Sequence, residues 1–551
     1  MPRKFMTADY DAALDITIRL GDVIQPDHLA FFILDVIALL DLSAIYECYG
    51  SRGAPPYAPE ILLALLFYGY ATGIFSSRKI EQATYEALPF ILIAGGMHPD
   101  HDTIANFRKK CLPEIEELFV QILLIASKFG ILKLGNISID GTKIHANASK
   151  NHAVSYARIS ELETQLHQEI EQLIELGKLS DDGMALPSGL KINEEIIYRQ
   201  ERLENLSEAK VILEERAQER FEIEQTDYQA VLKEREEKER ALGRKLPGRK
   251  PEPPQQEGPH DKDQYNFTDP DSRIMKNSNN KGFDQHYNAQ IAVDYDGSLI
   301  VGHSLSNHPN DQGEIEPTLA AIPSQLGTPE AASLDNGYFS ESNIELLEAH
   351  GIAPYIATGR IPHYFNLPEI MANDIQLQHT TGEACELNIE AIATNNTSVG
   401  ASEIEHQDEL FPDDIEDAQE ICLLEIEAIA TDDAALKKSD IEQAEELSST
   451  KIEGKLSDID TAEFQDKSSN DEPSAKVKMA SKLKTQAGKA IYRLRKCTVE
   501  PVIGIIKETL GFRQFSLRGL EAAAGEWGIM CLAFNLKRLH VLTGGALCSS
   551  L

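Results

Sequence analysis

"NAQIAVDYDGSLIVGHSL", residues 288–305, alternates apolar and polar positions on either side of Asp296-Gly297, the pattern of two β-strands joined by a tight turn. Upstream, "NISIDGTKI" (136–144) alternates Ile137 and Ile139 before Asp140 and reads as a further strand. Downstream, a helical stretch near 311–325 precedes the short apolar run "AASLD", which ends at Asp335. A helix near 341–350 and a strand in "GIAPYIAT" (351–358) follow. The order is strand, hairpin of two strands, helix, strand, helix, strand and, much later, a helix. That succession predicts an α/β fold with a mixed (α+β) sheet.

The same order is that of an RNase H-like domain, here interrupted twice. In the first interruption Ile159, Leu162, Leu166, Ile170 and Leu173 recur at three and four, and "SDDGMALPSG" (180–189) breaks the pattern. A second charged run then carries Leu203, Leu206, Leu213, Ala217 and Phe221, so a long helical hairpin is expected. The basic, Pro-rich "GRKLPGRKPEPPQQEG" (243–258) ends it as a linker. The second interruption is acidic, Ser/Thr-rich, poor in aromatics and read as disordered or as a loosely helical loop; its one repeated hexapeptide, "IEAIAT" (389–394 and 426–431), is too little for a solenoid.

The expected divisions begin with a helical N-terminal region, 1–130, containing "HLAFFILDVIALLDL" and "APEILLALLFYGYATG". The catalytic domain would comprise 131–155, 259–365 and 476–551, interrupted by the hairpin and linker at 156–258 and the acidic insert at 366–475. In "HPDHDTIANFRKK", Asp102 or Thr103 is expected to cap a short helix with a basic end. Helices of that kind suit DNA binding, and a plain helical bundle suits them equally.

The formal charge of −37 is unevenly spread. Across 371–475 there are 28 Asp/Glu against 5 Lys, a net −23, whereas 476–551 holds 13 Lys/Arg against 4 Glu, a net +9. Such asymmetry points to a polyanion-binding end beside a solvated acidic stretch. The seven cysteines form no CxxC pair, which argues for a reducing compartment and against both a disulfide framework and a zinc knuckle. The longest apolar run, "ILLALLFYGYATGIF" (61–75), is too short to span a bilayer, and the start lacks a signal-peptide core, so a cytoplasmic protein without membrane contact is expected.

Three acidic residues stand out by position. Asp140 and Asp335 end apolar runs predicted as the first and fourth strands, neighbours in an RNase H-like sheet. Glu500 precedes Pro501, which places it at the start of the last helix. Converging carboxylates of this kind would hold two Mg²⁺ ions through hard oxygen ligands and support in-line phosphoryl displacement. Spacing alone does not establish that site. Around Glu500 lie Arg493, Arg495, Lys496, Lys507, Arg513 and Arg518, which either hold a phosphate backbone or merely solubilise a helix. His286, His303 and His308 match no zinc-ligand spacing; Tyr287 and Asn288 either meet DNA or pack, and Trp527 is read as core.

The local sequence resembles the DDE transposases of bacterial insertion sequences, the group with an InsH-like N-terminal domain. "YAPEILLALLFYGYATGIFSSRKIE" and "HPDHDTIANFR" look like that N-terminal domain, and "SIDGTKIHANAS" like the first-aspartate motif. "DPDSRIMKNSNNKGFDQHYNAQIAVD" (269–294) looks like the central motif and "LDNGYFSESN" like the second-aspartate motif. The C-terminal motif is "AIYRLRKCTVEPVIGIIKETLGFRQFSLRGLEAAAGEWGIMCLAFNLKRL". The resemblance implies that Asp140, Asp335 and Glu500 are catalytic metal ligands for two Mg²⁺ ions, with Mn²⁺ able to substitute. It implies cleavage and strand transfer of double-stranded DNA at the element's terminal repeats, by a homodimer or larger assembly in the cytoplasm, nucleoid-associated when bound. A DNA-binding relative without activity, or a nuclease without strand transfer, are the alternatives. Two departures stand beside it. The paired cysteines often found between the second aspartate and the glutamate are represented only by Cys385 and Cys422, and Asn336 stands where relatives frequently have alanine.

Overall fold

Strand β1 (Asn136–His145) is the centre of a six-stranded mixed sheet. β2 (Ala153–Ser155) and β3 (Gln264–Asn266) pair separately, while β4 (Arg273–Lys276) and β6 (Ile300–Ser306) both lie on the outer edge of β5 (Phe283–Asp294). On the other side of β1 come β7 (Ala331–Leu334) and β8 (Ala353–Ile356). β5 runs antiparallel to β1, and β7 and β8 run parallel to it. The chemistry of the connections explains the directions. A tight turn at residues 295–297 joins β5 to β6, whereas helices Ile315–Ala320 and Glu341–Ala349 carry the chain back for each parallel addition.

The structure is a computed structural model and describes residues 20–49, 56–181, 191–245, 250–254, 258–277, 282–359 and 475–545. The chain divides into a unit of Met1–Ile361 with Pro473–Leu551 and a second unit of Pro362–Glu472. The acidic insert with its repeated hexapeptide, Cys385 and Cys422, and the 182–190 break between the two long helices lie outside the described residues.

Helices Pro59–Ala71 and Leu112–Lys128 pack against the long C-terminal helix Leu520–Leu542, which also lies on β6. One apolar cluster therefore runs from Ala30 through the sheet to Leu539. Trp527 is fully buried in it, and its indole N–H donates to the Gln290 carbonyl at 3.2 Å, so the core reading of this residue holds. Helices Tyr156–Asp181 and Ile192–Leu242 form a separate small cluster through Ile159, Leu166, Leu206, Ala209 and Leu213, closed by Tyr265 of β3. The helix His101–Lys110 begins one step earlier than the expected cap. Asp100, not Asp102 or Thr103, occupies the N-cap and accepts from the Thr103 N–H at 2.7 Å, because the cap must precede the first helical residue by its own extended backbone. Among the described residues no helix is long and apolar enough to cross a membrane.

Asp294 ends β5 as a buried carboxylate: Oδ2 accepts from the Gly297 N–H at 2.8 Å, and Oδ1 has no partner. Burial pushes its carboxyl up to about 7, against the Gly297 hydrogen bond. A folded value above the unfolded value of roughly 3.9 means the native state binds the proton more tightly, so the stability present near pH 4 is lost as pH rises through about 7. Between pH 4 and pH 8 the unfolding free energy should fall by on the order of 2–4 kcal/mol more in the parent than in Asp294→Asn. Urea unfolding at both pH values measures this; identical pH dependence in the two proteins contradicts it.

Candidate active site

Strand alternation decides which way Asp140 faces. Ile137 and Ile139 point one way into the core, so Ser138 and Asp140 share the opposite face of β1. The β1–β7 register pairs Ser138 with Ser333, whose hydroxyls lie 2.5 Å apart. Asp140, midway along β1, and Asp335, just past the end of β7, each come two residues after that pair, and so lie at the same level and on the same face. Asp335 caps the short turn Asn336–Tyr338 and accepts from the Gly337 N–H at 2.5 Å.

The helix Gln486–Gly504 covers that face; Tyr295 ties it down, donating to the Ile491 carbonyl at 2.6 Å and lying 3.1 Å from Ser333 Oγ. Glu500 lies near the end of this helix rather than at its beginning. Pro501 is inside the helix as well, and the ladder relaxes just after it into a π-turn, Ile505–Thr509. An interior proline costs about 3 kcal/mol in lost bonding and ring clash, which burial of Val499 and Val502 against the sheet offsets.

Arg495 joins the first acid to the third. Its Nη2 donates to Asp140 Oδ2 at 2.7 Å and its Nη1 to Glu500 Oε1 at 3.2 Å. The guanidinium is 11 % exposed, Asp140 18 % and Glu500 46 %, so the bridge runs from the sheet outward to solvent. Asp140 Oδ1 accepts from the Gly141 N–H at 3.0 Å. Burial pushes the Asp140 carboxyl up to about 6; Arg495 holds it down, while the charges of Asp335 and Glu500 add to the rise. These are mutually repelling oxygen donors with one organic cation among them, the donor chemistry that suits a hard divalent ion.

Beneath the site lies a polar layer that linear reading missed. Asp311 Oδ1 accepts from Asn288 Nδ2 at 2.8 Å and from Gln290 Nε2 at 3.0 Å, and the Tyr338 hydroxyl donates to Gln290 Oε1. A Cβ on Gly141 would fall 2.2 Å from Gln290 Nε2, so glycine follows Asp140 because the pinned amide lies directly over it. Tyr287 is buried and donates to Asp269 Oδ1 at 2.8 Å, and Asn288 is also buried. Both therefore pack within the fold. His303 meets Glu116, His308 meets Glu314 and His286 lies tilted against the His145 ring, so the three histidines do not converge.

The basic residues separate into groups. Arg493 and Lys496 are exposed on the helix and follow the same face as Glu500, at spacings of seven and four. Lys507 is half-buried, its Nζ donating to Thr142 Oγ1 at 3.0 Å and to the Lys143 carbonyl at 3.3 Å, which places it along β1 beyond Asp140. Arg513 pairs with Glu508 and donates to the Lys507 carbonyl at 3.0 Å, and Arg518 donates to the Asn147 carbonyl at 3.2 Å. Arg495 alone is turned inward to the acids.

Two family models match the chain. A transposase domain (DUF772) matches residues 18–110, and a transposase DDE domain matches residues 461–540. The first covers the helices through His101–Lys110; the second covers Glu500 and all six basic residues but neither aspartate. No curated protein and no solved structure matches the chain.

Proposed function

The chain belongs to the DDE transposases of insertion sequences, and from that premise we propose that it binds the ends of its element and cuts and joins DNA strands there. One observation carries the reading: Asp140 and Asp335 lie at the same level of neighbouring parallel strands, the second just past its strand's end, and Glu500 is tethered to Asp140 through Arg495. The strand order β6-β5-β1-β7-β8 supports an RNase H-like catalytic domain assembled from 131–155, 259–365 and 476–551. The packed helices of 156–258 support a helical hairpin insertion, and 1–130 is assigned to DNA binding.

Asp140, Asp335 and Glu500 would hold two Mg²⁺ ions, or Mn²⁺ in their place. When bound, such ions supply Lewis acidity for the attacking and leaving oxygens of an in-line phosphoryl transfer. Arg495 bridges Asp140 and Glu500, and its single positive charge offsets part of the repulsion between them. Arg493, Lys496 and Lys507, with Arg513 and Arg518 further along, would hold the phosphate backbone and set its register against the acids. Joining two ends requires two sites, so the working form is taken as a homodimer or larger.

DNA fragments carrying the element's ends, incubated with protein and Mg²⁺ and resolved under denaturing conditions, test the proposal. Cleaved ends together with a joined strand are expected. Cleavage with no joined strand would establish a nuclease instead, and binding with no cleavage a DNA-binding relative.

A further inference from the structure

Seven scattered cysteines argue in sequence against a zinc knuckle, yet folding brings two of them together beside a carboxylate. Cys48 ends the short helix Ser43–Glu47. Cys111 sits at the elbow between His101–Lys110 and Leu112–Lys128, and Glu114 follows in the first turn of the second helix. The ligand atoms of the three residues all lie within 4.8 Å of one another. From these residues we propose that Cys48, Cys111 and Glu114 form a binding site for a thiophilic divalent ion, Zn²⁺ in the first place, separate from the acidic site on the sheet.

The donor spacing supports this. Cys48 Sγ lies 3.3 Å from Glu114 Oε1. A tetrahedral zinc with Zn–S of about 2.3 Å and Zn–O of about 2.0 Å holds its sulfur and oxygen ligands roughly 3.5 Å apart. Both thiols are free, Cys111 is fully buried and Cys48 half-buried. The second carboxylate oxygen, Glu114 Oε2, is shielded from solvent and has no hydrogen-bond partner, an arrangement that costs free energy unless a cation or donor occupies the space. Lys110 reaches the Cys48 carbonyl and lies over the Tyr49 ring, so its charge is fixed next to the cluster. Two thiolates and one carboxylate would be balanced by a divalent ion and this ammonium together. Sulfur donors select Zn²⁺ over Mg²⁺, which distinguishes the two sites chemically. Three protein ligands leave a fourth position for water.

The ion would clamp the end of Ser43–Glu47 to the elbow between two longer helices. The test uses the full-length chain, reduced and stripped with chelator, then titrated with Co²⁺ as a spectroscopic probe. With excess Mg²⁺ present to fill the acidic site, one thiolate-bound Co²⁺ per chain is expected, with a thiolate-to-cobalt charge-transfer band and intense tetrahedral visible bands, all displaced by Zn²⁺. Cys48→Ser and Cys111→Ser should lose the charge-transfer band or its one-to-one stoichiometry, and Glu114→Gln should weaken binding by about 10- to 100-fold. Asp140→Asn and Cys497→Ser should keep the parent spectrum. If the buried Cys111→Ser fails to fold, the half-buried Cys48→Ser decides the matter. A parent without the charge-transfer band, or a band that survives unchanged in Cys48→Ser, overturns the proposal.

Discussion

Asp140→Asn should slow DNA strand cleavage by about 10³-fold or more, the scale lost when a group that stabilises transition-state charge is removed, while leaving DNA affinity within a factor of about two. The substitution is nearly isosteric. Its amide oxygen can still accept from the Gly141 N–H, so the strand geometry around Gln290 is kept. What disappears is the negative charge, with it one of three carboxylates assigned to the metal ions, and the bond from Arg495 Nη2, which the amide nitrogen in place of Oδ2 cannot accept. Stability should move the other way. Burial pushes the Asp140 carboxyl up to about 6, above its unfolded value of roughly 3.9, so ionised Asp140 lowers native stability as pH rises through that interval. The asparagine variant carries no such loss. At pH 8 it should unfold at the same or a higher urea concentration than the parent. Parallel cleavage, binding and urea measurements separate the possibilities: a variant that still cuts refutes the catalytic assignment, and one that unfolds at a lower urea concentration than the parent refutes the stability prediction.

The sheet was legible because its signals are local. Period-two alternation in 136–144 and 288–305 and the Asp296-Gly297 turn point to strands that the structure contains as β1, β5 and β6. β4 escaped notice because four residues carry too short a pattern, and Glu500 was set at a helix start because an interior proline is the costlier choice. Only burial against the sheet makes that choice viable. Contacts between remote residues leave no local trace. Nothing near Arg495 announces that its guanidinium turns to an aspartate 355 positions away, and the spacing of Cys48 and Cys111 gives no hint of their proximity. Asp311 was equally silent, since its importance comes from the Asn288 and Gln290 amides that meet it.

Glu526→Ala should cost about 3–5 kcal/mol of stability, the range for breaking a buried ion pair on one side. Glu526 belongs to the C-terminal helix and is 0 % exposed. Its Oε2 accepts from the Ser516 and Leu517 N–H groups at 2.8 and 2.9 Å, and its Oε1 accepts from the Tyr70 hydroxyl at 3.0 Å. Arg108 Nη1 donates to the same hydroxyl at 2.7 Å and lies 3.6 Å from Oε1. The carboxylate thus links Pro59–Ala71 and His101–Lys110, both inside the first matched segment, to a helix of the second. Alanine would leave a buried guanidinium without its counter-charge and two backbone donors without an acceptor. The two losses can be told apart. Arg108→Met with Glu526→Ala removes the unpaired charge and should recover part of the deficit, but the Ser516 and Leu517 donors stay orphaned, so recovery should stop well short of the parent. Urea midpoints of the parent, both single variants and the double variant give the coupling directly. A loss below about 1 kcal/mol in Glu526→Ala would mean that water or a rearranged loop supplies those partners, and that the carboxylate is not what binds the N-terminal helices to the C-terminal one.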